Sequence, residues 1–229
     1  MKISVAIDGP AAAGKSTVAK QVAKTLGYTY IDTGAMYRAF TWYCMEKGVD
    51  CQSEEQCCAL IPEVTIKLRP DGQVLCNDID ITREIREPRV SGNVSYIASY
   101  KDIRLFLVEQ QRNMAKKHSV IMDGRDIGTY VLPDAQVKIF QIASVATRAV
   151  RRYDENISKG IQCTLEEIEE DVRKRDYIDS HRDFAPLKCA PDAITLDTSF
   201  MSVEEVVAKV IEIIQEKIKN LANNRTNAT

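Results

Sequence analysis

The sequence predicts an α/β fold in which a parallel β-sheet is covered by helices on both faces. Short apolar segments of the strand type recur along the chain, and segments with helical spacing separate them. Strands without polar alternation are typical of parallel sheets that are buried on both faces. The predicted strands are residues 3–7, 29–31, 120–122, 137–142 and 193–196.

Apolar spacing and capping signals mark the predicted helices. The spacing predicts helices over residues 17–26, over 35–47 with an end at Gly48, and over about 203–221. The pattern Ser/Thr-x-x-Glu, in which two side chains satisfy free N–H groups of a first turn, occurs at 164–167 and 202–205. Residues 53–56 follow it with Gln in place of Glu. The polar residues 223–229 are expected to form a frayed tail.

Two segments interrupt the alternation of strands and helices. Residues of about 50–95 contain three short strand patterns, at 64–69, 73–76 and 80–82, with the turn signal Pro70-Asp71-Gly72 between the first two. This segment is predicted to be a small β insertion. The second segment, about 148–182, has helical character and many arginines.

Composition sets the broad class of the protein. A chain of 229 residues with 45% hydrophobic residues can form one large domain, and its net charge of −2 does not favour nucleic acid as a partner. The seven cysteines form no paired metal-binding pattern, so reduced thiols and a cytoplasmic location are expected. We find neither a signal-peptide pattern nor an apolar run of membrane-spanning length. The expected protein is monomeric and binds neither nucleic acid nor membrane.

The first predicted strand leads into the pattern G-x-x-x-x-G-K-S, typical of a phosphate-binding loop. Backbone N–H groups of such a loop surround polyphosphate oxygens, and the following helix adds its positive end. Lys15 would reach the β- and γ-phosphates, and the Ser16 hydroxyl would ligate Mg²⁺. The alternative is a glycine-rich turn with a chance lysine, and the flanking strand and helix argue against it. The predicted ATP-binding residues are Gly9, Pro10, Ala11, Ala12, Ala13, Gly14, Lys15, Ser16 and Thr17.

Two more polar loops follow predicted strands. Asp32, Thr33 and Arg38 stand where the second strand leads into a helix, and they offer a hydroxyl, free N–H groups and a guanidinium to one anion. Asp32 could equally well cap that helix. Asp123 ends the third strand beside the phosphate loop, a position suited to an acidic residue near Mg²⁺. Ser16 and Asp123 are therefore the predicted magnesium-binding residues, with Asp123 acting directly or through water.

The arginines of segment 148–182 allow two interpretations. A guanidinium group binds phosphate bidentately and suits the charge that develops on a transferring phosphoryl group. The acidic residues 166–171 could instead pair with these arginines on a solvated helix. The arginines concerned are Arg148, Arg151, Arg152, Arg173, Arg175 and Arg182.

Several motifs together carry a family resemblance. Besides the phosphate loop, they are D-T-G-A-M-Y-R at 32–38, D-G-R-D-I-G-T at 123–129, R-D-x-x-D-x-x-R at 175–182 and A-P-L at 185–187. With these motifs, the chain resembles the bacterial cytidylate kinases, nucleoside monophosphate kinases of the P-loop class. The resemblance covers essentially residues 1–220, and its G-R-D-x-G-T and R-D-x-x-D-x-x-R elements are much more specific than the phosphate loop.

The resemblance implies a fold and a role for each matching residue. The fold would be one parallel-sheet P-loop kinase domain over 1–229, with insertion 50–95 as a mobile monophosphate-binding part and 148–182 as a lid. The acceptor phosphate would be held by Thr33, Arg38 and Arg125, the cytosine by Ser95, Arg104, Asp126 and Arg182, and the sugar by Arg175 and Asp179. The residues expected to act in catalysis are Lys15, Arg125, Arg148, Arg152 and Arg175.

The activity implied by the resemblance is Mg²⁺-dependent transfer of the γ-phosphoryl group of ATP to CMP or dCMP. A kinase for another small acceptor is the nearest alternative. A GTPase would normally carry the guanine-reading pattern N-K-x-D, which this sequence lacks. A nucleotide-binding regulator without catalysis is disfavoured because Lys15, Ser16 and the arginines are all present.

Overall fold

The computed structural model describes residues 2–158 and 160–226. The strands, in chain order, are β1 (Ser4–Asp8), β2 (Thr29–Asp32), β3 (Ile66–Leu68), β4 (Val74–Cys76), β5 (Ile79–Asp80), β6 (Val120–Gly124), β7 (Val137–Ile142) and β8 (Ile194–Asp197). The helices are α1 (Lys15–Leu26), α2 (Thr33–Glu46), α3 (Glu54–Ala59), α4 (Pro88–Ile97), α5 (Lys101–Ala115), α6 (Val145–Ser158), α7 (Leu165–His181) and α8 (Val203–Thr226).

Five strands form the predicted parallel sheet, in the order β2-β6-β1-β7-β8. Helices α1 and α8 bury one face of this sheet, where Val18 and Val210 pack with β1 and β7. The other face is buried partly by Val108 of α5, which packs with Ile31 of β2 and Met122 of β6. The prediction of a parallel α/β fold with helices on both faces is confirmed.

Element ends differ from the prediction in ways that matter for function. Strands β1, β2 and β6 each extend far enough to include an acidic residue, namely Asp8, Asp32 and Asp123. The capping boxes at 164–167 and 202–205 are present. The Ser53 side chain makes no capping hydrogen bond, so the prediction of a third box is wrong.

The last helix is longer than predicted. It runs to Thr226, five residues past the expected end at 221, and so enters the segment predicted as a frayed tail. The remainder of that tail, 227–229, lies outside the described residues. Among the described residues, no helix has both the length and the apolar character needed to cross a membrane.

The predicted insertion contains an antiparallel sheet of order β3-β4-β5. Asn77 and Asp78 join β4 to β5 with φ values of +48° and +65°, as a two-residue hairpin with matching twist requires. Ile66 and Val74 of this sheet share a buried cluster with Phe40 of α2. The insertion therefore has no core of its own and rests on α2.

A buried carboxylate ties the end of β1 to the segment after β6. The side chain of Asp8 accepts hydrogen bonds from the backbone N–H groups of Ile127 (2.8 Å) and Gly128 (2.7 Å). These groups begin a single π-helical turn, Ile127–Val131. Asp8 thus holds the backbone that directly follows the G-R-D motif. No sequence pattern predicted this role of Asp8.

Gly9 is required by the packing of β1 against β7. Its φ is +151°, and a Cβ at this position would lie 2.0 Å from the Gln141 carbonyl oxygen. We predict that Gly9→Ala lowers the free energy of unfolding by at least about 1–3 kcal/mol, since both backbone strain and a steric clash result. Urea denaturation measures this. The control is Gly92→Ala in α4, where a Cβ meets nothing within 4 Å and a helical alanine should be neutral or stabilising. Equal stability of the two variants would contradict the prediction.

Asp8 should make stability depend on pH. Burial raises the pKa of Asp8 to about 7, although the hydrogen bonds from the two backbone N–H groups act to lower it. Because the unfolded carboxyl titrates near pH 4, the folded protein holds this proton more tightly, and stability is lost progressively as the pH rises from about 4 to 7. Asp8→Asn removes that loss. We predict that the free energy of unfolding of the wild type falls by about 2–3 kcal/mol relative to Asp8→Asn between pH 5 and 7. Parallel stability profiles would refute this.

Candidate active site

The phosphate loop lies between β1 and α1 and lines a cavity of about 550 Å³. Residues 12–17 contribute to its wall, as predicted for a nucleotide site. Ala12 (φ +56°) and Gly14 (φ +86°) have left-handed backbone conformations, which give the loop its concave shape. Gly9, Pro10 and Ala11, also predicted to bind ATP, lie outside this wall and shape the loop instead.

Arg148 holds the loop from behind. Its guanidinium donates to the carbonyl oxygens of Ala143 and Ala11, each at 2.9 Å, and lies 2.7 Å from the Asp176 carboxylate. Asp176 in turn accepts the Ala11 N–H at 3.1 Å. Arg148 is buried and lines neither cavity described here. This geometry supports a positioning role for Arg148 rather than the predicted catalytic one.

Lys15 begins α1 at the base of the cavity. Its ammonium group donates to the Pro10 carbonyl oxygen at 2.7 Å. Burial, followed by repulsion from Arg125, lowers the pKa of Lys15 to about 7, while Asp123 and Asp8 oppose the shift. A polyphosphate in the loop would favour the charged form and reverse this effect. An anion bound in the loop would therefore keep the Lys15 side chain in its charged form.

Ser16 and Asp123 meet as predicted for a magnesium site. The Ser16 hydroxyl donates to Asp123 Oδ2 at 2.6 Å, and Tyr30 donates its hydroxyl to Oδ1 at 2.8 Å. Burial, followed by the nearby charge of Asp32, raises the pKa of Asp123. A hydroxyl and a buried carboxylate beside a phosphate loop fit Mg²⁺, which takes oxygen ligands from one or two side chains, phosphates and water. No sequence pattern predicted this contact of Tyr30.

A cluster of arginines surrounds the predicted site of the acceptor phosphate. Asp32 caps α2 by accepting the Ala35 N–H at 2.7 Å, and its carboxylate also binds Arg38 (3.2 Å) and Arg86 (2.8 Å). Arg86 belongs to the insertion, and no sequence signal singled it out. Thr33 donates its hydroxyl to the Asp123 carbonyl oxygen at 2.6 Å, so it must reorient before it can donate to a phosphate.

The predicted cytosine-binding residues line a smaller cavity of about 70 Å³. Asp126 is one of these residues, and its carboxylate is bound by the buried guanidiniums of Arg104 and Arg182. Both arginines also donate to the Ala98 carbonyl oxygen, which fixes their orientation. Ser95 of α4 lines the same cavity. The structure therefore brings all four residues together.

The predicted sugar-binding pair lies beside Arg125. Asp179 of α7 accepts a hydrogen bond from Arg125 Nε at 2.7 Å. Burial acts to raise the pKa of Asp179, but Arg125 and Arg175 outweigh it and hold that pKa below its usual value. Burial, followed by repulsion from Arg125, lowers the pKa of Arg175 to about 10. These crowded cations favour an anion between them.

The two cavities have a common wall. The residues that line both are Gly34, Arg38, Gly124, Arg125 and Arg175. The larger cavity is lined by the phosphate loop, and the smaller one contains Asp126. Two phosphate-bearing ligands, one in each cavity, would therefore meet at a wall with three guanidinium groups.

Two further arginines of α6, Arg151 and Arg152, line the larger cavity. Arg152, predicted to be catalytic, lines this cavity and pairs with Glu155 at 3.1 Å. Arg151 donates to the Thr198 carbonyl oxygen at 2.5 Å and approaches the Ala13 carbonyl oxygen at 3.4 Å. Arg151 was among the arginines singled out in segment 148–182, but its contact with Thr198, in the loop between β8 and α8, was not predictable from the sequence. Arg173, by contrast, is exposed and pairs with Glu169 along α7.

Comparison with known proteins is consistent with this geometry. The family model described as cytidylate kinase matches residues 5–216. A cytidylate kinase of Lactobacillus johnsonii is 55% identical over 221 residues, which is 95% of this chain and 96% of that protein. A cytidylate kinase of Anoxybacillus flavithermus is 50% identical over 95% of this chain and 98% of its own length.

A solved structure supports the fold independently. A gluconokinase from Sinorhizobium meliloti 1021 superposes with a TM-score of 0.55 at 12% identity, covering 97% of each chain. This likeness concerns the fold alone. The match of the family model to nearly the whole chain and the two close relatives together establish that the chain belongs to the cytidylate kinase family.

Proposed function

We propose that this protein transfers the γ-phosphoryl group of ATP to CMP or dCMP, forming ADP and CDP or dCDP. The observation that carries the proposal is the arginine wall between a cavity lined by a phosphate loop and a cavity that contains a buried Asp126. Cytidylate kinase relatives at 50–55% identity support the same activity. ATP would occupy the larger cavity and the acceptor the smaller one.

Mg²⁺ would be held by Ser16 and Asp123 together with phosphate oxygens and water. When bound, it would neutralise charge on the β- and γ-phosphates of ATP. Lys15 would move from the Pro10 carbonyl oxygen to those phosphates. The backbone N–H groups of residues 12–17 would hold the remaining phosphate oxygens.

The transfer itself needs no general base. An anionic oxygen of the acceptor phosphate attacks the γ-phosphorus of ATP, and the bond from that phosphorus to the β,γ-bridging oxygen breaks, so the electron pair leaves with ADP. Arg38, Arg125 and Arg175 would align the two phosphates and stabilise the charge on the transferring group. Arg152 would assist from α6.

Asp126 would select cytosine. An ionised carboxylate only accepts hydrogen bonds, so it favours the N4 amino group of cytosine and disfavours the O4 atom of uracil. Arg104 and Arg182 occupy one position on each Asp126 oxygen, and each oxygen has a second lone pair for the base. The arginines would also donate to the O2 and N3 acceptors of the ring.

Conformational change would complete the site. The α6–α7 segment carries Arg152 and Arg175 and would act as a lid that excludes water during transfer. The insertion contributes Arg86, whose contact with Asp32 would let an acceptor phosphate couple the insertion to the core. The seven cysteines are free, in keeping with the expected cytoplasmic location.

The activity is tested by incubating the protein with ATP, Mg²⁺ and each of CMP, dCMP, UMP, AMP and GMP, with products separated by chromatography. CDP and dCDP should form fastest.

We predict that Lys15→Ala lowers kcat with CMP by about 100-fold to 1,000-fold, because a preorganised cation at the developing charge is lost. Lys20→Ala, an exposed lysine of the same helix, is the matched control. Preferential phosphorylation of another acceptor, or a folded Lys15→Ala variant with more than half the wild-type kcat, would overturn the proposal.

Base selection is tested by Asp126→Asn. The amide still accepts from N4 but also donates to O4 of uracil, so we predict that the CMP:UMP ratio of kcat/KM falls by roughly tenfold or more, mainly through poorer use of CMP. Steady-state kinetics with both nucleotides measure the ratio. A folded variant that loses activity on CMP and UMP in equal proportion would show that Asp126 only anchors Arg104 and Arg182.

A further inference from the structure

Buried polar atoms without a partner concentrate at the acceptor cavity. Seven buried side-chain nitrogen or oxygen atoms of the described residues lack a hydrogen-bond partner. Four of them belong to residues that line the smaller cavity: Tyr37 Oη and the Nε atoms of Arg38, Arg104 and Arg175. Because buried polar groups in proteins are nearly always hydrogen-bonded, this concentration points to bonds that a ligand supplies. Tyr37 is the one residue of the four to which neither sequence motif nor family assigned a role here.

Tyr37 lines the smaller cavity beside Arg104. It lies one helical turn after Thr33 on α2, and its side chain is buried. The guanidinium carbon of Arg104 lies 5.3 Å from the centre of the Tyr37 ring. Arg104 belongs to the predicted cytosine site, whereas Arg175 and Asp179 belong to the sugar site. Tyr37 therefore lies beside the place where we put the pyrimidine ring, and its hydroxyl is buried there without a partner.

Three other tyrosines, all wholly or partly buried, show what a structural hydroxyl can do in this fold. Tyr30 donates to Asp123 at 2.8 Å, Tyr43 to Glu63 at 3.0 Å and Tyr100 to the Cys51 carbonyl oxygen at 2.8 Å. Each hydroxyl thus has a protein acceptor. Tyr37 does not, although taking an unpaired hydroxyl out of water is unfavourable and phenylalanine would fill the same space.

We propose that the Tyr37 hydroxyl donates a hydrogen bond to the acceptor edge of the bound pyrimidine, at O2 or N3, as a third base-binding group beside Asp126 and the Arg104–Arg182 pair. The inference rests on the proposed function, since it takes CMP or dCMP as the occupant of the smaller cavity. Burial raises the pKa of Tyr37 to about 12, so the hydroxyl keeps its proton at neutral pH and is able to donate. In this arrangement Asp126 accepts from the amino group while Tyr37 donates to the neighbouring ring atoms.

The test is Tyr37→Phe, which removes only the hydroxyl oxygen. The matched control is Tyr43→Phe on the same helix, whose hydroxyl contacts Glu63 outside both cavities. Calorimetry measures binding of CMP and of dCMP to each variant, and steady-state kinetics give KM for CMP, dCMP and ATP. Tyr37→Phe should weaken CMP and dCMP by the same factor, roughly three- to tenfold, with an unchanged KM for ATP and an unchanged melting temperature. Tyr43→Phe should leave all three nucleotides unaffected.

Three results would overturn the inference. Unchanged binding of CMP and dCMP would mean that the hydroxyl bonds only to water. Weaker binding of CMP but not of dCMP would assign the hydroxyl to the ribose 2′-OH instead of the base. Equal loss for CMP and ATP with a lower melting temperature would mean that it serves packing alone. If the wild type binds CMP but does not phosphorylate it, the proposed function fails while the binding comparison still decides the role of Tyr37.

Discussion

The site depends above all on the parallel pairing of β1 with β6. In their register, Ile7 is the partner of Asp123 and Asp8 the partner of Gly124. Parallel strands end at the same edge of a sheet, so the phosphate loop after β1 and the G-R-D motif after β6 emerge side by side. If β1 and β6 were antiparallel, these two loops would lie at opposite edges of the sheet. The contact of Ser16 with Asp123 follows from that shared edge.

The second constraint is the management of charge in a buried site. Lys15, Arg125 and Arg175 lie around one space, where burial, followed by repulsion from Arg125, lowers the pKa values of Lys15 and Arg175. Asp179 and Asp32 hold neighbouring guanidiniums in place. Such pairs keep the cations oriented without satisfying all their donors, so a polyphosphate gains contacts that water would otherwise supply.

A layer of residues that do not face the substrate keeps this arrangement rigid. Asp8 holds the turn after Asp126, and Arg148 with Asp176 holds the phosphate loop through Ala11. These groups bond mostly to backbone atoms, so they fix the path of the loops rather than their side chains. Precise positioning of this kind matters because phosphoryl transfer relies on alignment more than on covalent participation by the protein.

Local patterns were sufficient to predict the strands of the main sheet and the loops that carry function, although helices α4 and α5 were not predicted. The apolar strands β1, β2, β6, β7 and β8 were recognisable because both faces of the sheet are buried, and the capping boxes of α7 and α8 depend on neighbours three residues apart. The phosphate loop and the G-R-D motif were recognisable because each occupies consecutive residues, and local backbone geometry dictates the spacing within each motif. The cytosine-binding roles of Ser95, Arg104 and Asp126 came from the family resemblance and not from spacing.

The sequence by itself thus determined the α/β class, the loop that binds phosphate and the family. Tertiary structure alone decided which polar side chains face the cavities and which are used within the fold. Arg148 and Arg152 stand four residues apart on α6, yet Arg148 bonds to the loop backbone and Arg152 lines the cavity. Arg86 and Tyr37 gain their importance from Asp32 and Arg104, residues whose positions depend on packing between distant segments. Those contacts join parts of the chain that no local pattern relates, which is the physical reason that spacing could not predict them.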